Sequence, residues 1–177
     1  MEVKINVQEP KFVHYKMLQN KIKVNKFDIV SFIIIILTFG LDRLSKVYAI
    51  NLIEKNQSEF FINDFLNITL NWNRGIGFGL LSFDANITYH LISALILLII
   101  VYLIYLMVIS DNVGKIIISL IIGGALGNLY DRLTYFAVPD FIDFHIKDFH
   151  WFTFNAADVF ISLGIFGMVI KEFVLKK

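Results

Sequence analysis

The chain has 177 residues, 57% of them hydrophobic and 18% charged, where soluble domains use about 45–50% apolar residues; with a mean hydropathy of +0.69 this is a membrane composition. A net charge of +1 leaves no clustered basic excess, so nucleic acid is not expected as a partner. The absence of cysteine rules out disulfides, thiolate metal sites and a cysteine nucleophile.

In chain order, the first 26 residues carry six Lys and two Glu without an apolar core or a small-residue cleavage site, and read as a cytosolic basic tail rather than a cleaved leader. Residues 27–177 read as one membrane domain with four spans, at about 28–50, 87–109, 115–135 and 155–174, and outer loops at about 51–86 and 136–154. The expected fold class is membrane all-α, four transmembrane helices. The run 91–109 is broken only by Ser93 and is long enough to span, by the rule of about 20 apolar residues. The runs 29–41, 116–129 and 159–170 are too short alone, and each is bordered by an aspartate: Asp42, Asp131 and Asp158.

Basic residues near span ends favour the cytosol. Lys21, Lys23 and Lys26 precede the first span, Lys115 lies in the second turn, and Lys171, Lys176 and Lys177 follow the last, so both termini are expected inside. The two long loops carry two basic against four acidic residues and one against three, and are expected outside. Measured from Lys26, Lys115 and Lys171, the three aspartates lie about 24, 24 and 20 Å along a helix of 1.5 Å rise. In a hydrocarbon core of roughly 30 Å all three fall in the outer half at one level. A charge there costs a few kcal/mol, so intramembrane aspartates normally face a bundle interior or a wet cavity. Simple pairing with Arg43, Lys46 and Arg132 is the bland alternative for any one of them.

The first outer loop alternates at Asn67-Ile68-Thr69-Leu70-Asn71-Trp72, which suits a strand, and Trp72 fits a membrane–water boundary. On the third span, Gly123 and Gly127 read as a close-packing face, with Asn128 and Asp131 three apart on one side of the helix. Phe154-Asn155-Ala156-Ala157-Asp158 opens the fourth span, where Asn155 can cap the helix and Asp158 can sit in its first turn. Val138-Pro139-Asp140-Phe141 brings a second aspartate into the same outer loop, and Asp143 follows three residues later. Two close carboxylates cannot both ionise cheaply, so one holds a proton while the other accepts one from water. Such a pair is sufficient to hydrolyse an amide, and Asp158 with Asp140, or with Asp143, is the candidate. His145 and His150, with Asp143 and Asp148, invite a metal reading, but lack the His-Glu-x-x-His spacing of zinc proteases and suit a solvated loop.

The ordered series Asp42-Arg43-Leu44-Ser45-Lys46, Asn73-Arg74-Gly75-Ile76-Gly77-Phe78, Gly123 through Arg132, Val138-Pro139-Asp140-Phe141 and Phe154-Asn155-Ala156-Ala157-Asp158 resembles the motif set of bacterial lipoprotein signal peptidases, also called signal peptidase II, over about residues 28–175. The resemblance implies an aspartic endopeptidase of the bacterial inner membrane, with a small extracytoplasmic β-rich cradle, that cuts diacylglyceryl-modified prolipoproteins before the lipidated cysteine. It implies Asp140 and Asp158 as the catalytic pair, with Asp42, Lys46, Asn73, Gly75, Asn128, Asp131, Arg132 and Asn155 binding substrate or supporting the dyad. It implies membrane lipid around a monomer, and neither cofactor nor metal. Ile76-Gly77 stands where Ala-Ala is common, and Pro139 where an aliphatic residue is usual. A proton-linked transporter would also bury carboxylates, but would more naturally show broken helices and an internal repeat; a non-enzymatic scaffold would leave the clustered Asp and Asn residues without a role.

Overall fold

Asn25 sets the start of the first helix: its side-chain oxygen accepts from the amides of Phe27 (2.7 Å) and Asp28 (3.2 Å), while Asp28 accepts from the Asn25 amide at 2.7 Å. This reciprocal cap satisfies amides that have no partner in the first turn. The computed structural model describes residues 24–56, 59–75 and 86–174, with side chains from 89 onward in the last stretch. The lysines ahead of residue 24, Lys176, Lys177 and Ile76-Gly77-Phe78 lie outside the described residues. Helix α1 covers Lys26–Asn56, α2 Asn86–Ile109, α3 Asn112–Tyr135 and α4 Ala156–Val174. The first helix therefore runs six residues past the end expected at 50. Two stretches, Tyr89–Ile109 and Asn112–Tyr135, are long and apolar enough to cross a membrane by length and composition.

Four strands, β1 (Phe60–Asn63), β2 (Leu66–Asn73), β3 (Val138–Ile146) and β4 (Phe149–Phe154), form one antiparallel sheet in the order β1-β2-β3-β4. The strand expected around residues 67–72 is β2. The second connection, expected as loop, is the β3–β4 hairpin, so an all-α description with a small cradle understates the sheet. The alternation rule fails on β3 because Val138 through Phe141 are buried in succession, on both sides of the strand.

Helix α3 packs against α1, α2 and α4. Its close approaches use missing side chains: a Cβ on Gly124 would lie 2.6 Å from the Ala157 carbonyl oxygen of α4, and one on Gly127 would lie 2.3 Å from Asp42 Oδ2 of α1. Ile100, Ile118, Ile122 and Leu129 make the apolar centre, flanked by Ile35, Ile96 and Leu126. At one end of the bundle Lys115 pairs with Asp28 and Lys171 with Asp111, and the Asp111 side chain caps α3 through the Gly114 amide at 2.9 Å. The Lys171 ammonium holds the Asp111 carboxyl below the usual carboxylate range. The other end carries the sheet, joined to α1 and α3.

Candidate active site

Lys46 on α1 is 1% exposed. Its ammonium donates to Asp42 Oδ2 one turn back (2.9 Å), to Asp131 Oδ2 (2.6 Å) and to Asn128 Oδ1 (2.8 Å) on α3. Three acceptors satisfy the three donors of a lysine, which is what burial of an ammonium requires. Arg43 Nη1 reaches the other oxygen of Asp131 at 2.5 Å, and the Arg43 guanidinium lies 4.8 Å from the Tyr130 ring centre. Asp42 Oδ1 accepts from the Ala157 amide at 3.0 Å, tying α1 to the first turn of α4. Pairing with Lys46 and Arg43 thus accounts for Asp42 and Asp131. It does not account for Asp158.

Asp158 and Asn155 cap α4 reciprocally. The Asp158 amide donates to Asn155 Oδ1 (3.2 Å) and the Asn155 amide to Asp158 Oδ2 (3.1 Å). Capping therefore leaves Asp158 Oδ1 for Asn128 Nδ2, at 2.9 Å, and leaves the Asn155 side-chain NH2 for Asp140 Oδ1, at 2.6 Å. The second Asp140 oxygen accepts from Asn73 Nδ2 at 3.0 Å. Asn73 is set in turn by the Gly75 amide on its Oδ1 (2.9 Å), and the Gly75 carbonyl accepts from Arg132 Nη2. Arg132 stacks over Tyr89, with 5.6 Å to the ring centre, and its own carbonyl accepts from the Tyr89 hydroxyl at 3.1 Å. All ten residues singled out by the sequence are thereby joined by contacts. Asp140 and Asp158 differ from the rest in being held, among the described residues, by neutral amide groups alone.

Both carboxylates line one cavity of about 190 Å³, together with Asn73, Asn128, Arg132, Asn155, Val138, Thr153, Ile161 and Ser162. Asp140 is 3% exposed. Burial, and next the charge of Asp158, push its carboxyl up to about 6, against the hydrogen bonds of Asn73 and Asn155, which favour the ionised form. A carboxylic acid and a neighbouring carboxylate facing one small cavity can protonate one atom of a bound amide while taking a proton from water.

Asp143 lines the adjoining hollow of about 480 Å³ rather than this cavity. It is buried and bonds His150 Nδ1 at 2.6 Å, and His145 is buried beside it, so the solvated-loop reading fails for both. Sequence reasoning did not single out Tyr89, Thr153 or Ser162. Ser162 had a signal, one helical turn after Asp158; Tyr89 had none beyond its place at the start of a span.

A family model described as Signal peptidase (SPase) II matches residues 34–174. The lipoprotein signal peptidase of Pelagibacter ubique (strain HTCC1062) is 46% identical over 154 residues, 86% of this chain and 92% of that one. That of Anaplasma marginale (strain Florida) is 40% identical over 150 residues, 83% and 86% of the two chains. A bacterial membrane enzyme solved by the in meso method superposes with a TM-score of 0.66 at 29% identity, covering 84% of this chain and 92% of that one. On the family match over residues 34–174 and the identity to these relatives over most of both chains, the chain belongs to the signal peptidase II family.

Proposed function

We propose that Asp140 and Asp158 are the catalytic dyad with which this aspartic endopeptidase cleaves the signal peptide from prolipoproteins. The observation that carries the assignment is their shared cavity together with their neutral amide partners. A cation bonded to either carboxylate would hold it ionised and remove the acid from the pair. One carboxylate takes a proton from water as the water oxygen bonds to the scissile carbonyl carbon. The other donates to the leaving nitrogen as the carbon–nitrogen bond breaks, and the dyad returns to its singly protonated state. The two steps belong to the pair, which titrates jointly.

All four helices are read as spans, α1 and α4 included. Both carry large apolar side chains on their outer surfaces, among them Phe32, Leu44 and Tyr48 on α1 and Phe166 and Phe173 on α4, which lipid would cover. An even number of spans returns both termini to one side; the lysine distribution favours the cytosol for that side, and the family supports a bacterial inner membrane. The sheet and the dyad then face outward, toward a diacylglyceryl-modified substrate cut before its lipidated cysteine, with the enzyme acting as a monomer in lipid. The transporter alternative has no support in the family match.

The test is cleavage of a synthetic diacylglyceryl-cysteine prolipoprotein by purified protein in detergent, without any ion gradient. Wild type and Asp143→Asn are expected to cut, and Asp140→Asn and Asp158→Asn are not. Turnover by either of the last two would overturn the assignment.

A further inference from the structure

The β3–β4 hairpin carries a second cluster of ligand-type side chains that the peptidase chemistry leaves unused. Asp143 and His145 are two apart on β3 and so project from the same side of the strand. The register pairs His145 with His150 across the hairpin, and their rings stack at 5.3 Å between centres. One ligand atom from each of the three residues falls within 4.8 Å of the other two.

Two observations set this cluster apart from an ordinary hairpin ion pair. Asp143 is 1% exposed and His145 5%, yet Asp143 Oδ1 and His145 Nδ1 are buried with no hydrogen-bond partner among the described residues. Leaving such groups unsatisfied is destabilising, and a bound cation would satisfy them. His145 Nδ1 faces Asp143 Oδ2 at 3.8 Å, while His150 Nδ1 lies 2.6 Å from the same oxygen. In a tetrahedral shell with bonds of about 2.0–2.2 Å, neighbouring ligand atoms lie roughly 3.3–3.5 Å apart. The shorter gap would open and the longer one close, each by less than an ångström, and the two imidazole nitrogens, within 4.8 Å of each other, would close by at most about 1.5 Å.

We propose that Asp143, His145 and His150 form a binding site for a divalent transition-metal cation, with Zn²⁺ as the best-fitting class member. Two imidazoles and one carboxylate suit a borderline-soft cation, and Ca²⁺ or Mg²⁺ would demand more oxygen ligands. The His150 side chain is 54% exposed, which gives the ion an entry path and leaves a coordination position for water. Binding replaces the proton shared by His150 and Asp143, which passes to solvent, and supplies a partner to His145 Nδ1. His-Glu-x-x-His spacing belongs to ligands on one helix; here a strand and its cross-strand neighbour supply the spacing. The ion would clamp β3, which carries Asp140, to β4, which runs directly into Asn155.

The experiment uses the full chain in detergent, with any affinity tag removed and the protein stripped by chelator, titrated with Zn²⁺ by calorimetry. Wild type and the His14→Ala/His90→Ala double variant, which removes the other two histidines, are expected to take up one equivalent and to unfold at higher temperature when loaded. His150→Ala and His145→Ala are expected to bind at least tenfold more weakly and to gain no thermal stability. His150 is exposed enough that its variant keeps the fold, which circular dichroism verifies, so the test does not depend on His145→Ala. No saturable uptake near one equivalent by folded wild type, or equal uptake by folded His150→Ala, overturns the proposal.

Discussion

Asp42 and Asp131 on one side of Asn128, and Asp140 and Asp158 on the other, are four carboxylates, three buried and Asp158 half-buried, within one connected set of side chains, yet they are held in opposite ways. The first two are fixed by Lys46 and Arg43; the second two by the amides of Asn73, Asn128 and Asn155. A cation cancels a buried charge and locks it. An amide orients a carboxylate and leaves it free to take up a proton. Asn128 stands between the two regions, accepting from Lys46 and donating to Asp158, so the locked pair positions the titrating one.

The comparison is broken most severely at its cationic centre. Lys46→Met leaves Asp42 and Asp131 buried without their shared partner, a change that typically costs about 3–5 kcal/mol. Thermal unfolding in detergent is expected to show that loss, together with lost turnover, because Asn128 also loses the donor that orients it. Gly127→Ala presses a methyl onto Asp42 Oδ2 at 2.3 Å. Since a carboxylate packed against the α4 amide has little room to yield, a loss of about 1–3 kcal/mol is expected, read in the same unfolding assay.

A third variant sharpens the contrast in protonation. The folded Asp140 carboxyl sits at about 6 against an ordinary 3.8. Below pH 4 it is protonated in both folded and unfolded chains; between 4 and 6 the unfolded chain releases the proton and the folded chain keeps it. This group therefore lowers stability as pH rises through that window, by up to about 3 kcal/mol, and holds it lower by a constant amount above. Asp140→Asn removes the effect, so its unfolding midpoint is expected to gain on wild type between pH 4 and 6 and to run parallel above. The smallest effect is at Asn155. Asn155→Ala removes a cap worth about 1 kcal/mol and a donor that favours ionised Asp140, so the limb of kcat/KM on which Asp140 loses its proton, near pH 6, is expected to move upward.

Helix α2 was legible from hydropathy alone, the other three only with Asp42, Asp131 and Asp158 read into their runs; the common level of these aspartates, read from helix rise, agrees with their links through Lys46 and Asn128. Which aspartate meets a cation was not legible. Lys46 and Asp131 are 85 residues apart, and only the approach of α1 to α3 over Gly127 decides that they pair. The choice of Asp140 over Asp143 rested on motif resemblance; geometry adds that Asp143 is engaged by His150 and faces another hollow. The β3–β4 hairpin went unread because burial on both sides of β3 erases alternation, and the burial of His145 followed from that same miss. Asn155 and Asp158 were legible as a cap, but not as a cap that also presents both polar ends to the cavity.

The most direct test sets the four aspartates side by side: Asp42→Asn, Asp131→Asn, Asp140→Asn and Asp158→Asn, each measured for both thermal stability and turnover per folded molecule on the lipidated substrate. The first two are expected to lose stability while their folded fraction still cuts, and the last two to keep or gain stability while turnover falls at least about a hundredfold, the lower end of acid–base contributions. Turnover retained in Asp140→Asn or Asp158→Asn, or unchanged stability in both Asp42→Asn and Asp131→Asn, would contradict the contrast between the two pairs.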